Sequence, residues 1–446
     1  MRGKQASNFG VESTPESSRQ SFTTALLNVG VLLCMVLATT QCVVIFRGLH
    51  GAATHRDFTT YYLSANAVAN HLNPYDFDFT PTITRLGWDT GGIAHTTDPP
   101  TFLLMIAPLA HFSIYTAFWI WTAFNAICLA LSIFLLFGPG SGIPPRLVWV
   151  LVPLLTFFVP IRVHFSVGQS KLPVLLLVVL VMRLMGKKCD RTAGLALAAA
   201  ILMRVFPVIL LGYVILQRRW RVFAYTVIGL TVGVLLTLFI LGAGAISGFQ
   251  TGVSSLTTHW TRMPQDLSLD AFISRFFWHF IGSYPASPID HIRKLAIAGE
   301  TLLITGLTIR ATLATPSGED RDWSIFSLWV VTSVLLSPIA WIYYQVFYIL
   351  LFARMASAAS ARRLSLRAII MTVVCLVTMY VWVLVGVFYS EHTDTLKKYV
   401  LSEFGALSML AGYVSAYWFA TDEPGVSPVP LWAMPAEIWR RLMPAM

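Results

Sequence analysis

An all-α, polytopic membrane protein is the fold class this sequence predicts, and three observations carry it. Hydrophobic residues fill 56% of the 446 positions and charged residues only 12%, with a mean hydropathy of +0.69; a soluble domain carries about 25% charged residues. Apolar runs near the roughly 20 residues that cross a bilayer recur, at 25–46, 118–137, 223–241 and 368–387. The basic residues gather in short connections between such runs: Arg183, Lys187, Lys188 and Arg191; then Arg218, Arg219 and Arg221; then Arg354, Arg362, Arg363 and Arg367. That bias places those connections on the cytoplasmic side, so the formal charge of +10 reports orientation and not a nucleic-acid partner. Alternating segments of about 10 residues, the mark of a transmembrane barrel, are absent.

Taken in order, residues 1–22 are polar and serine-rich and read as a disordered cytoplasmic tail. The first apolar run is too long for a cleaved signal and ends at Arg47, so it reads as a first membrane helix. Residues 47–100 form a large outer loop with Arg47, Arg56 and Arg85 against five aspartates. Apolar segments follow at about 101–137, 147–160 and 171–185. Residues 192–217 have basic connections at both ends, which one crossing cannot satisfy. Pro207, after Arg204, permits a break there, and Ser337-Pro338 does the same within 323–353. About 12 membrane segments result, several short or broken, within a membrane domain spanning 23–420. A second outer loop covers 243–296, and 421–446 reads as a cytoplasmic interfacial tail, with Leu431, Trp432, Ile438, Trp439 and Leu442 beside Arg440 and Arg441.

The five cysteines lie mostly in apolar runs without a Cys-x-x-Cys pair, which fits packing and not a disulfide frame or zinc site. No Walker loop, Gly-x-Gly-x-x-Gly unit, His-Glu-x-x-His or Gly-x-Ser-x-Gly is present, so a soluble nucleotide donor has little support. Polar residues in the outer loop and within apolar segments are the candidates for chemistry. Asp57 opens a helical pattern through Phe58, Tyr61, Tyr62, Ala65 and Val68 that reads as a helix along the membrane surface. There it is either a helix-capping carboxylate or a base at the rim of a cavity, where partial burial raises its basicity. Asp76-Phe-Asp78 has metal-binding spacing but follows the turn Asn73-Pro74-Tyr75; a turn is expected, with no metal and no other cofactor. Asp98 precedes Pro99-Pro100, a rigid re-entry point that lets it line a cavity. Arg162, His164, Lys171 and Arg204 are costly in lipid; they either face a polar cavity or a partner, with phosphate the natural guest of Arg and Lys together, or snorkel to the interface, Lys171 more readily than Arg204. Trp341, Tyr343, Tyr344 and Gln345 form either an interfacial aromatic belt or a sugar-stacking wall.

These stretches resemble glycosyltransferase family 87. The resemblance runs through Asp57-Phe58-x-x-Tyr61-Tyr62, Asn73-Pro74-Tyr75-Asp76, Pro99-Pro100-x-Phe102-Leu103, Ala107-Pro108-Leu109 and Gly168-Gln169. It continues in Ala193-Gly194, Arg204-x-x-Pro207, Gln217-Arg218-Arg219-Trp220-Arg221, Leu267-Ser268-Leu269 with Arg275, and Leu336-Ser337-Pro338 with Trp341. It covers roughly residues 24–420. It implies a GT-C fold and transfer of mannose from a polyprenyl-phosphate donor to a lipid or glycan acceptor outside the cytoplasmic membrane, with Asp57 as catalytic base. Membrane lipids are then the surroundings of the multi-pass chain, with its active site facing the outer side. Donor phosphate falls to Arg204 and Lys171, and Tyr61, Tyr62, Asp98, Gln169, Trp341, Tyr343 and Tyr344 line the substrate cavity. The chain departs from the family pattern at Asp98 (usually Tyr), Gln169-Ser170-Lys171 (Gln-x-Asn), Arg204 (Lys) and Tyr343-Tyr344 (His-His). A transporter of a lipid-linked sugar also has broken helices, but such proteins show repeated halves and nothing like 47–100 recurs. A non-catalytic scaffold gives no reason for Asp57, Asp98, Lys171 and Arg204 to share a face.

Overall fold

A computed structural model describes residues 15–49, 52–54, 57–90, 94–261, 263, 265–281, 290–314, 319–361, 364–387, 395–422, 429–430 and 433–442. Among them the chain is helical, with no β-strand. The helices are α1 (Pro15–Gly48), α2 (Asp57–Ala69), α3 (Thr80–Leu86), α4 (Pro100–Ile106), α5 (Ile114–Phe137), α6 (Pro145–Leu154) and α7 (Val159–Val167). They continue with α8 (Lys171–Gly186), α9 (Asp190–Met203), α10 (Leu210–Leu216), α11 (Trp220–Leu241), α12 (Ala243–Trp260) and α13 (Leu269–Phe276). The last are α14 (Asp290–Ala314), α15 (Glu319–Leu335), α16 (Tyr348–Ser360), α17 (Leu366–Val387), α18 (Thr395–Thr421) and α19 (Met434–Leu442).

Among the described residues, six helical stretches are long and apolar enough to cross a membrane, from Asn28–Gly48 to Leu366–Val383, and seven if α6 and α7, bent by 49° at their junction, make one crossing. These stretches turn large apolar side chains outward, Phe239, Leu295 and Leu302 among them, as a protein solvated by hydrocarbon does. Shorter apolar helices flank the breaks, α9 and α10 on either side of Arg204 and α15 before Ser337-Pro338. Segment 101–137 holds one long span, α5, preceded by the short α4 and a 3₁₀ turn at Ala107–His111.

Local chemistry sets the boundaries. Pro99 is extended and Pro100 begins α4, where a missing N–H costs nothing. Ser113 caps α5, its Oγ accepting the Thr116 N–H at 3.3 Å. Arg204 is extended (φ −150°, ψ 129°) and ends α9, after which Pro207 starts a 3₁₀ turn, Phe206–Ile209, that leads into α10. Gly168 ends α7 in the left-handed region at φ +70°, and a Cβ there would lie 2.6 Å from Phe58 Cβ. Glycine is therefore required twice over, by conformation and by the close approach of α2. Its carbonyl accepts the Trp121 indole N–H at 2.8 Å, which fixes the turn against α5.

Two expectations need correction here. The tail assigned to 1–22 is shorter, because α1 already begins at Pro15; residues 1–14 lie outside the described residues, as do Leu431 and Trp432 of the tail helix. The second concerns α2, which does not lie along a surface: Phe58, Thr59, Thr60, Tyr61, Leu63, Ser64, Ala65, Ala67 and Val68 are all buried in the protein. Its polar face tolerates burial because Thr60 and Ser64 donate to carbonyls of their own helix, Asp57 O and Thr60 O, at 2.7 Å each.

The segment between α12 and α13 is clamped onto the α15–α16 break. Asp266 Oδ1 accepts the backbone N–H groups of Ser268 and Ala340 at 3.0 Å each, and Leu267 N–H donates to Ala340 O at 2.6 Å. From the other side Arg275 forms a two-point pair with Glu403 (2.8 and 2.9 Å) while its Nη1 donates to the carbonyls of Met263 and Asp266. Burial pushes the Asp266 carboxyl up to about 6, against the hydrogen bonds it accepts. An unfolded aspartate ionises near pH 3.9, so between about pH 4 and 6 the folded chain keeps a proton that the unfolded chain has lost. Stability therefore rises as pH falls through that window, by roughly 3 kcal/mol, opposite in sign to an ion-paired carboxylate. Thermal unfolding between pH 7 and 4.5 is expected to show this gain in the wild type and to lose it in Asp266→Asn.

Candidate active site

The breaks and the outer segments converge on one cavity of about 550 Å³, within the usual range for small-molecule sites, about 300–1,000 Å³. Asp57 and Tyr61 reach it from α2, Asp98 from the turn before α4, Gln169 and Lys171 from the α7–α8 turn, and Arg204 from the end of α9. Trp341, Tyr343 and Tyr344 come from the α15–α16 break. The sequence separations are large, and the helix breaks are what bring these groups together: each supplies a chain end that points into the cavity instead of into lipid.

At the centre is the Gln169 carboxamide. Its Nε2 donates to Asp57 Oδ2 at 2.7 Å and to the Tyr343 hydroxyl at 3.0 Å. Its Oε1 accepts from the Tyr61 hydroxyl at 3.0 Å and from Lys171 Nζ at 3.1 Å. Lys171 is only 2% exposed, and its ammonium lies 4.5 Å from the centre of the Tyr344 ring and 5.4 Å from that of Tyr343, a cation–π arrangement that offsets lost hydration. Tyr343 and Tyr344 stack at 5.7 Å, Trp341 lies nearly parallel to Tyr343, and Trp260 meets Trp341 edge-on at 5.1 Å. The aromatic residues thus form a wall of the cavity, one part of which holds the lysine.

Arg204 is fully engaged. It forms an ion pair with Asp98, donates from Nη2 to the Tyr61 hydroxyl at 2.5 Å and from Nε to Ser170 Oγ at 2.8 Å, and lies over the Phe102 ring at 4.8 Å. Asp98 in turn is held by Tyr75, whose hydroxyl donates to the Asp98 carbonyl at 2.5 Å. Burial raises the Asp57 carboxyl above its ordinary value; the Gln169 hydrogen bond and the charges of Lys171 and Arg204 oppose this, and Asp98 adds to it. The result is a carboxylate of increased basicity facing a cavity, the property a general base needs.

Several residues singled out in the sequence fall elsewhere. Tyr62 does not line the cavity: it points away, donating to the Phe112 carbonyl at 2.8 Å and meeting Trp88 edge-on. Adjacent helical residues diverge by about 100°, so Tyr61 and Tyr62 cannot face one site. His164 is buried beside α5 with Nε2 at 2.9 Å from Asn125 Oδ1, and Arg162 is exposed. Asp76 accepts from Asn73 Nδ2 at 2.7 Å, and Asp78 accepts the Thr80 N–H at 2.8 Å at the start of α3; both carboxylates serve turns outside the cavity. Gln345 is buried away from the cavity and donates to Ser408. Conversely Asp89, Trp260, Met263, Gln265 and Trp382 line the cavity without having been singled out. The sequence placed Trp260, Met263 and Gln265 in the second outer loop and Asp89 in the first, with no signal that they meet the cavity.

The family model for glycosyltransferase family 87 matches residues 97–338, more than half of the chain. The matched stretch includes Asp98, Gln169, Lys171 and Arg204, whereas Asp57 and the Trp341–Tyr344 wall flank it. No curated protein matches the chain and no solved structure does.

The Arg204–Asp98 pair makes a specific prediction. Asp98→Ala leaves a buried guanidinium without its counter-ion and is expected to cost about 3–5 kcal/mol, seen as a lowered Tm in detergent. Combining Asp98→Leu with Arg204→Met removes both charges and is expected to recover most of that loss.

Proposed function

Because the chain belongs to glycosyltransferase family 87, a family of membrane glycosyltransferases, we propose that it moves a hexose, mannose foremost, from a polyprenyl-phosphate donor to a hydroxyl of a lipid or glycan acceptor. The protein is a multi-pass resident of the cytoplasmic membrane in this reading. Its short, broken helices complete about 12 crossings in a GT-C arrangement, and its cavity opens on the outer side. The polyprenyl tail stays in hydrocarbon between helices while the phosphate and sugar enter the cavity.

What supports the reading is that a basic carboxylate and a buried cation sit at opposite ends of one carboxamide: Asp57 on Gln169 Nε2, Lys171 on Gln169 Oε1. Asp57 takes the proton of the acceptor hydroxyl as its oxygen bonds to the anomeric carbon. The bond from that carbon to the phosphate oxygen breaks on the opposite face, its electron pair leaving with the phosphate, and the configuration inverts. Lys171 stabilises the charge that grows on the departing phosphate. Arg204, committed to Asp98, contributes positive field more than a direct contact. No metal enters these steps, and no nucleic acid is a partner.

Asp57→Asn keeps the shape of the side chain and removes the base. Transfer of radiolabelled mannose from polyprenyl phosphate to membrane acceptors is expected to drop by about 10²–10⁴-fold with the Tm unchanged. Wild-type transfer by this variant would refute Asp57 as the base.

A further inference from the structure

Gln169 occupies a position of unusual constraint. A carboxamide offers two N–H donors and an oxygen with two lone pairs, and in Gln169 all four are used, by Asp57, Tyr343, Tyr61 and Lys171; the Ser170 N–H adds a longer contact at 3.4 Å. The orientation is not interchangeable, because an ammonium can only donate and a carboxylate can only accept. Lys171 therefore forces the oxygen toward itself, and the N–H group toward Asp57. The left-handed turn at Gly168 and the Trp121 hydrogen bond hold the Gln169 backbone in place.

We propose that Gln169 is a positioning residue that holds the basicity of Asp57 below what its burial alone would give, until an anionic phosphate engages Lys171 and the base strengthens further. The inference rests on the glycosyl-transfer reading above and specifies how its two ends communicate. Asp57 accepts a hydrogen bond from an amide that Lys171 polarises, and the lysine charge itself lies one carboxamide away. Both features favour the carboxylate over the acid. A phosphate on Lys171 brings a negative charge toward Asp57 and draws the ammonium's hydrogen bonding away from Gln169 Oε1. Each change raises the affinity of Asp57 for a proton. A base that gains strength only when the donor is present does not deprotonate an acceptor, or water, before there is a sugar to transfer.

The other charged or titratable groups facing Asp57 are named by the packing. They are Tyr61 on α2, Lys171 on α8, Asp98 before α4, Arg204 at the end of α9 and Tyr343 in the 3₁₀ turn that follows Trp341, with Asp89 lining the same cavity. Asp98 and Arg204 are paired with one another, and of the two cations the one hydrogen-bonded to Gln169 is Lys171.

An infrared pH titration of the full chain in lipid nanodiscs, following the carboxyl band that Asp57→Asn removes, tests this without requiring turnover. Gln169→Leu is expected to raise the Asp57 midpoint by about one pH unit, a tenfold gain in proton affinity. Gln169→Glu, which keeps the shape if the leucine variant fails to fold, raises it further because two adjacent carboxylates share a proton. Added polyprenyl phosphate raises the midpoint in the wild type and leaves it in place in Lys171→Met. In transfer assays the acid limb of kcat/KM moves with the midpoint in the Gln169 variants, whereas a merely structural role would lower activity by the same factor at every pH. Unmoved midpoints in folded Gln169 variants, with wild-type transfer intact, would overturn the role of Gln169. Shifted midpoints with no transfer by the wild type would instead strike the reaction proposed above.

Discussion

A guanidinium held among apolar helices must be paired, and the arrangement of the cavity depends on how Arg204 meets that demand. Its charge goes to Asp98, two further N–H groups to Tyr61 and Ser170, and its face to Phe102. Those partners lie on α2, the α7–α8 turn and the entry to α4, so a single side chain ties three separate parts of the chain. Asp98 and Arg204 contact each other, so an acid stands where a guanidinium with a fixed fork needs a counter-ion.

Satisfying Arg204 within the protein leaves Lys171 as the cation of different character. It is buried and leans on two tyrosine rings and an amide oxygen. None of these partners carries a full charge. Two cations in one cavity therefore do different work: one is structural electrostatics, the other an ammonium whose electrostatic demand a ligand can answer. The clamp built by Asp266, Arg275 and Glu403 serves the opposite wall. It fixes the backbone at Ala340, one residue before the aromatic wall begins, so that Trp341, Tyr343 and Tyr344 are presented from a rigid edge instead of a free loop.

The membrane class was legible because burying backbone in hydrocarbon leaves a compositional trace that no other fold imitates. The breaks were legible for a similar reason: basic residues at both ends of 192–217, with Pro207 between, admit no straight crossing. Asp57, Asp98, Lys171 and Arg204 were visible as charged residues beside or within apolar segments, Gln169 through the family resemblance, and all five line one cavity. Tyr62 was misplaced because a motif groups neighbours that a helix separates. The burial of α2 was hidden for a different reason. Thr60 and Ser64 look exposed in a sequence, yet they satisfy their hydroxyls on their own helix. Trp260, Trp382 and Asp89 escaped because tertiary packing alone makes them neighbours of the site. Asp266 escaped because its partners are backbone groups, 74 residues away in the case of Ala340.

The lining of the cavity also has a sum. Asp57, Asp89 and Asp98 set three carboxylates against the two cations Lys171 and Arg204. By formal charge these five side chains sum to one negative charge. A diphosphate-linked donor would bring at least two more negative charges into a space already so biased, at close range and with little water to screen them. A phosphodiester brings only one, and Lys171 can meet it. In the reading proposed above, such a lining suits a donor that carries one phosphate charge better than one that carries two.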